Sequence, residues 1–262
     1  MILFLTIIFF TLGLIIGSFL NVVIYRYNTA RTLGGRSACM SCRSTLCWYE
    51  LIPLISFLAL SGRCKSCKTK ISKQYPLVEF ITGLIFAGLF LKFQDLFFDF
   101  TLIFSATFVF YAVAFCLLIV ISVYDLKHKI IPDSLALSLG ILSFAGIFLF
   151  SHSVFNPHIP GLWEFFSGIL IALPFALIWL VSSGRWMGLG DAKLAIGLGW
   201  LLGLTRALSG IVVAFWAGAV IGVILLVFSR SHGMKSEIPF APFLALGAVL
   251  AFLIELNLFP IF

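Results

Sequence analysis

Charged residues are scarce in this chain of 262 residues. They make up 10% of the sequence, whereas hydrophobic residues make up 62% and the mean hydropathy is +1.18. Soluble domains carry roughly 25% charged and 45–50% apolar residues. The shortage of charge therefore excludes a soluble globular enzyme, a disordered tail and a coiled coil, and it indicates a polytopic protein of the lipid bilayer.

Several catalytic motifs are also missing. The sequence has no His-Glu-x-x-His, no Gly-x-Ser-x-Gly and no Gly-x-Gly-x-x-Gly after a strand. The histidines follow no metal-ligand spacing, and they fall in loops or at helix ends: His128, His152, His158 and His232. These absences argue against zinc-protease, serine-hydrolase and Rossmann-type cofactor chemistry.

Apolar runs predict an all-α membrane protein with about eight transmembrane helices, since a span needs about 20 apolar residues. The predicted spans are 2–24, 77–93, 98–122, 134–150, 162–182, 190–204, 207–228 and 240–257. Segment 190–204 is short, and a broken or re-entrant element is its alternative. The first run lacks a basic n-region and a cleavage site, so we expect a retained helix rather than a signal peptide.

The basic residues are distributed unevenly between the two sets of loops that eight spans create. One set, 25–76, 123–133, 183–193 and 229–239, holds fifteen of the seventeen: Arg26, Arg31, Arg36, Arg43, Arg63, Lys65, Lys68, Lys70, Lys73, Lys127, Lys129, Arg185, Lys193, Arg230 and Lys235. The other set holds Lys92 and Arg206. Basic loops face the cytoplasm, so loop 25–76 is expected there and both termini on the outer face. The net charge of +7 is then a topology signal rather than a nucleic-acid surface.

The large loop 25–76 contains two Cys-x-x-Cys pairs, Cys39/Cys42 and Cys64/Cys67. Two such pairs at this separation are typical of a zinc ribbon, in which four thiolates bind one structural Zn²⁺. Two disulfides and a redox dithiol are the alternatives, and a reducing cytoplasm disfavours disulfides. We expect Cys116 to be a packing residue, and Cys47 has no assigned role.

Few acidic residues fall near the predicted cytoplasmic face: Glu79, Asp125, Asp133 and Asp191. Asp133 follows a proline and precedes an apolar run, which favours an N-cap or first-turn position. Asp125 has no comparable capping role. Asp191 follows Gly188 and Gly190, which allow the backbone to bend or to approach another helix closely; helix capping is its alternative role.

Two carboxylates that share a site can form an aspartyl pair, in which one is protonated and the other is charged. The charged member activates water, and the protonated member polarises the peptide carbonyl. The sequence predicts such a pair from Asp125 and Asp191, with Gly188 and Gly190 supporting the active-site loop.

An ordered series of motifs resembles type IV prepilin peptidases, which belong with the Gly-x-Gly-Asp membrane aspartyl proteases. The series is Gly17-Ser-Phe-Leu-Asn21, the paired Cys-x-x-Cys loop, Pro53-Leu-Ile-Ser-Phe, Tyr75-Pro-Leu-Val-Glu79, Asp125 with Ile131-Pro-Asp133, and Gly188-Leu-Gly-Asp191-Ala-Lys. The resemblance implies an inner-membrane enzyme that cleaves the basic leader of type IV prepilins or type II secretion pseudopilins. It then methylates the new N-terminus with S-adenosylmethionine.

By this resemblance Asp125 and Asp191 are the catalytic pair, and Cys39, Cys42, Cys64 and Cys67 are the zinc ligands. Glu79 or Glu50 is a candidate contact for the basic leader. No residue is assigned to the methyl donor, and the oligomeric state and the pilin system are not indicated. The predicted division is a first helix, 1–24, a zinc loop, 25–76, and a membrane protease domain, 77–262.

Three alternatives stay open. The first is a leader peptidase that lacks methyltransferase activity, against which the retained zinc loop argues. The second is a transporter that uses Asp125 and Asp191 as a proton or cation relay, although such proteins more often show midplane charges and an inverted repeat. The third is a zinc-dependent scaffold in which the acids merely cap helices.

Overall fold

The computed structural model describes residues 1–29, 32, 34–228 and 238–259. The predictions made for Arg31, Arg230, His232 and Lys235 lie outside these residues. The described chain is mostly helical, as its composition predicts, and it forms two compact units, Met1–Gln94 and Asp95–Phe262. The predicted division of the chain into segments 1–24, 25–76 and 77–262 stays a prediction.

The described helices are α1 Ile2–Arg26, α2 Ile55–Ala59, α3 Gln74–Lys92, α4 Gln94–Asp99, α5 Thr101–His128, α6 Asp133–Leu149, α7 Leu162–Ser182, α8 Leu189–Leu202, α9 Leu204–Phe228 and α10 Ala241–Leu253. A 3₁₀ turn at Trp48–Leu51 precedes α2 in the cysteine loop. A two-residue hairpin pairs β1 (Phe150–Ser151) with β2 (Val154–Phe155) between α6 and α7.

Each of the eight predicted apolar segments contains a helix. Within the described residues, five helices are long and apolar enough to cross a membrane: α1, α3, α5, α7 and most of α9. Helices α6 and α10 are shorter apolar helices, and α8 has 14 residues. A multi-pass membrane protein is therefore confirmed, while the count of eight spans stays a prediction.

The clearest difference in boundaries concerns α5, which was predicted to end at residue 122. Hydropathy falls at Asp125, but the helix continues to His128 because no helix breaker precedes Pro132. Lys129 then closes it in a left-handed conformation, φ 54°, and its N–H donates to the Asp125 carbonyl at 2.7 Å. Asp125 therefore lies inside the last turn of a long helix rather than in a loop.

In the first unit, α1 packs against α3 through small residues. A Cβ atom at Gly17 would lie 2.7 Å from Glu79 Cα, so the backbones approach more closely than any larger residue allows. One turn on, the buried Asn21 donates its amide N–H to the Tyr75 carbonyl at 3.1 Å. The Gly17–Asn21 motif therefore joins α1 to the start of α3.

In the second unit, α8 packs against α6 and α7, while α10 packs against α9 and α5. These contacts bring together the C-terminal end of α5 and the N-terminal ends of α8 and α10, where the predicted catalytic residues lie.

Candidate active site and cysteine cluster

Asp125 is buried in the last turn of α5, with 5% of its surface exposed. Its Oδ2 accepts a hydrogen bond from the backbone N–H of Ala241 at 3.2 Å. Ala241 is the first residue of α10, so the first N–H of one helix binds the carboxylate of another. Ala241 could not be recognised from the sequence, since an alanine in an apolar run carries no chemical signal.

Asp191 lies in the first turn of α8 and is also buried, with 9% of its surface exposed. The N-cap of α8 is Gly188 rather than Asp191, and the Asp191 N–H donates to the Gly188 carbonyl at 3.3 Å. The Asp191 carboxylate also interacts with the backbone N–H of Gly188. This interaction with the N-cap residue accounts for one contact of the Asp191 carboxylate. It does not explain why the carboxylate is buried near Asp125.

Asp125 and Asp191 are close enough for their charges to repel each other. They lie 66 positions apart in sequence and on different helices, yet both are buried within the same unit. Burial disfavours the charged form of a carboxyl group and repulsion between the two acids adds to this effect, so ionising both costs more than ionising one. This arrangement is compatible with an aspartyl pair, and the catalytic role of the two acids stays a prediction.

Gly188 and Gly190 differ in the space that a side chain would have at each position. A Cβ at Gly190 would lie 2.9 Å from the Cβ of Ile131, so this glycine permits a close approach between α8 and the α5–α6 connection. Gly188 has φ −74° and ψ 149°, which any residue adopts. A Cβ there would make an ordinary 3.7 Å contact with the Asp191 Oδ2 atom. The proposed support of the active-site loop therefore has a steric basis at Gly190.

Asp133 occupies the first turn of α6, after the N-cap Pro132, which agrees with its predicted position. Its carboxylate accepts a hydrogen bond from Lys193 Nζ at 2.7 Å. Its side chain is largely exposed, unlike those of Asp125 and Asp191. Asp133 thus has a structural partner and no place beside the buried pair.

The four predicted zinc ligands converge within the first unit. The Sγ atoms of Cys39, Cys42, Cys64 and Cys67 all lie within 4.8 Å of one another, and those of Cys39 and Cys67 are 3.8 Å apart. Four sulfurs at the usual Zn–S distance of about 2.3 Å form a tetrahedron with edges of about 3.8 Å. The cluster therefore fits a tetrahedral metal ion, and no disulfide joins cysteines in the described chain.

Both Cys-x-x-Cys pairs adopt the same turn. The Cys39 carbonyl accepts the N–H of Arg43, and the Cys64 carbonyl accepts that of Lys68, each at 3.0 Å. Arg43 and Lys68 have nearly equal positive φ angles, 58° and 59°. The repeated turn points both pairs of sulfurs toward one centre, which is why the spacing could be recognised in the sequence.

Hydroxyl groups two residues after each pair interact with the second sulfur. Cys67 Sγ lies 3.2 Å from the Thr69 hydroxyl, and hydrogen bonds from this residue lower the pKa of the Cys67 thiol to about 6. Ser44 lies 3.0 Å from Cys42 Sγ and lowers the pKa of that thiol in the same way. Thiolates are the form that binds metal, so these hydroxyls favour a metal centre.

The remaining cysteines stay outside the cluster. Cys47 is exposed, and its backbone N–H donates to Glu50 Oε2 at 2.7 Å in the 3₁₀ turn. Cys116 lies within α5 and is partly buried, as a packing residue would be.

Glu79 is buried in α3, with 7% of its surface exposed. Its Oε2 accepts the backbone N–H of Leu54 at 2.9 Å, and Ser18 of α1 also hydrogen-bonds the carboxylate. Leu54 has φ 58°, an uncommon conformation for a residue of this kind. Glu79 therefore holds the end of the cysteine loop against α1 and α3, while its contact with a basic leader stays a prediction.

Comparison with known proteins agrees with these features. The family model for the bacterial peptidase A24 N-terminal domain matches residues 11–93, and that of the type IV leader peptidase family matches residues 112–227. The first match contains the cysteine cluster and Glu79, and the second contains Asp125 and Asp191. No solved structure matches the chain significantly.

Relatives in several bacteria bear the name prepilin leader peptidase/N-methyltransferase. The protein of Myxococcus xanthus is 35% identical, over 87% of this chain and 65% of its own length. That of Stutzerimonas stutzeri is 34% identical over 92% and 88%, and that of Bacillus subtilis is 33% identical over 94% and 93%. The predicted family is confirmed: this chain belongs to the type IV leader peptidase family.

Proposed function

We propose that this chain cleaves the basic leader of type IV prepilins or type II secretion pseudopilins and then methylates the new N-terminus. Asp125 and Asp191 are the catalytic pair of the cleavage step. The observation that carries this assignment is the pairing of two buried carboxylates from distant positions within one helical unit. The names of the family and of the relatives support the two activities.

The chemistry follows from two acids that share one proton. The ionised carboxylate takes a proton from water, whose oxygen attacks the carbonyl carbon of the scissile peptide bond. The protonated acid donates to the carbonyl oxygen. When the tetrahedral intermediate collapses, the C–N bond breaks. The leaving amine gains the proton that the ionised carboxylate took from water. The other acid recovers its proton from a hydroxyl group of the intermediate.

The position of the pair suits a membrane-anchored substrate. A prepilin has a basic leader outside the bilayer and an apolar helix within it, so its scissile bond lies at the membrane surface. Asp125 lies in the last turn of α5 and Asp191 in the first turn of α8, at helix ends rather than midway along them. The bias of fifteen basic residues against two supports a cytoplasmic location for this face.

The cysteine cluster would hold Zn²⁺ as a structural ion. Four sulfur ligands leave no open position for water, so the ion would stabilise the loop and take no part in cleavage. S-adenosylmethionine is the methyl donor that the N-methyltransferase name of the relatives suggests. No residue of this chain is assigned to its binding.

Cleavage of a prepilin by purified protein in detergent tests the catalytic assignment. We expect Asp125→Asn and Asp191→Asn each to lose at least about a hundredfold in cleavage rate, since each removes one acid–base group. The exposed Asp99 on α4 provides a matched control, and Asp99→Asn should cleave normally. Wild-type cleavage by either variant of the pair would overturn the proposal.

Methylation of an already cleaved pilin peptide, followed with labelled S-adenosylmethionine, reports on folding in the same preparations. Both Asp variants should retain this activity, because the peptide bond is already broken.

A further inference from the structure

The hydrogen bond between Ala241 and Asp125 joins residues 116 positions apart and lies wholly inside the second unit. Ala241 has no exposed surface. The first N–H groups of a helix have no partner within that helix, and the Asp125 carboxylate supplies one for Ala241. The Ala241 N–H thus gains an acceptor and the Asp125 carboxylate gains a donor, and both residues are buried.

The start of α10 is anchored around this contact. Phe240, the N-cap residue, packs its ring on Phe215 of α9 at 4.9 Å and on Phe175 of α7 at 6.3 Å between centroids. Pro239 and Pro242 flank the segment and restrict its backbone. The backbone that carries the Ala241 N–H is therefore held by packing against α7 and α9.

The hydrogen bond from Ala241 limits the rotation of the Asp125 carboxylate. Asp125 Oδ2 already accepts the N–H of Ala241, so Oδ1 is the less engaged oxygen and the better placed to bind water or the partner acid Asp191. Without this donor the carboxylate rotates more freely about its Cβ–Cγ bond, and its reactive oxygen spends less time in the productive orientation. Small errors in position cost large factors in rate.

We propose that residue 241 is a positioning residue for peptide cleavage, which acts through its backbone N–H by orienting the carboxylate of Asp125. The inference rests on the proposed catalytic role of Asp125. It makes the start of α10 part of the catalytic arrangement, and it requires a residue at position 241 that is small and has an N–H.

Kinetics of Ala241→Pro and Ala241→Gly test the inference, because only the first change removes the N–H. Proline is accepted at the first helical position, and Leu162→Pro, at the exposed first position of α7, is the matched control for that change. We expect Ala241→Pro to lower kcat for prepilin cleavage by about 10- to 100-fold with little change in KM. Ala241→Gly should keep kcat within about threefold, since it retains the donor.

Amide hydrogen exchange provides a second measurement that does not depend on Ala241→Pro folding. Asp125→Ala removes the acceptor, so the Ala241 amide should exchange at least tenfold faster than in wild type. Asp191→Ala should leave it protected, and amides in the middle of α10 should be unchanged in both variants.

Equal exchange at Ala241 in the Asp125→Ala and wild-type proteins would overturn the inference, as would a fully active Ala241→Pro enzyme. Failure of the proposed function looks different: Asp125→Asn itself would then cleave normally.

Discussion

Lys193 Nζ lies 2.7 Å from Asp133 Oδ1, so an ion pair joins the N-terminal part of α8 to the first residue of α6. Each partner lies in a motif that also contains one of the proposed catalytic acids: Lys193 follows Asp191 by two residues, and Asp133 follows Asp125 by eight. The acids themselves are buried, whereas this pair is solvent-accessible, with 41% and 75% of the side chains exposed.

We predict that this ion pair contributes little to the stability of the protein or to the rate of cleavage. Exposed pairs are worth about 0–1 kcal/mol, because water screens the charges. Lys193→Met and Asp133→Asn should each retain most of the cleavage rate and lower the free energy of unfolding by less than about 1 kcal/mol. Thermal unfolding and prepilin cleavage provide the measurements. A tenfold loss of cleavage in Asp133→Asn would mean that this acid has a chemical role.

Gly190→Ala should damage cleavage more than Gly188→Ala. The new Cβ at position 190 meets Ile131 Cβ at 2.9 Å and forces the start of α8 to move, whereas position 188 has room for a methyl group. We expect a loss of at least about tenfold in kcat for Gly190→Ala. The double variant Gly190→Ala/Ile131→Gly should recover part of it, because glycine at position 131 lacks the Cβ atom that the new methyl group meets. If the double variant recovers no activity, the contact with Ile131 is not the reason that position 190 requires glycine.

Metal analysis of the purified protein should find one Zn per chain. Cys64→Ser/Cys67→Ser should lose it, since two ligands cannot hold the ion that four hold. Cys47→Ser is the matched control, because Cys47 is an exposed cysteine of the same loop outside the cluster. Unchanged zinc content in the double variant would refute the site.

Glu79→Gln and Glu79→Ala separate a structural role from a role in leader binding. Glutamine keeps an acceptor for the Leu54 N–H, and alanine leaves that donor unpaired, at a cost of about 1–3 kcal/mol in stability. We expect Glu79→Ala to unfold at lower temperature and Glu79→Gln to behave much like wild type. If Glu79 contacts the basic leader through its charge, Glu79→Gln will instead raise KM for prepilin while it leaves the unfolding temperature unchanged.

Much of the site could be read from residue spacing. The cysteine cluster was predictable because a Cys-x-x-Cys turn is local: its hydrogen bonds, such as that from the Arg43 N–H to the Cys39 carbonyl, span only a few residues. Asp125 and Asp191 were identifiable as rare acids next to apolar runs, although hydropathy placed the end of α5 before Asp125 and the structure places it after. Hydropathy records polarity, and it misses a polar last turn that remains helical.

Contacts between distant segments could not be predicted in this way. The burial of Glu79 against Leu54, the close approach of Gly190 to Ile131 and the bond from Ala241 to Asp125 each depend on how helices pack. The amino-acid sequence alone determined a helical membrane protein, its cysteine cluster and its family. Only the tertiary structure decided which oxygen of Asp125 is held and by what, because a backbone N–H is present in nearly every residue and gains meaning only from its position in space.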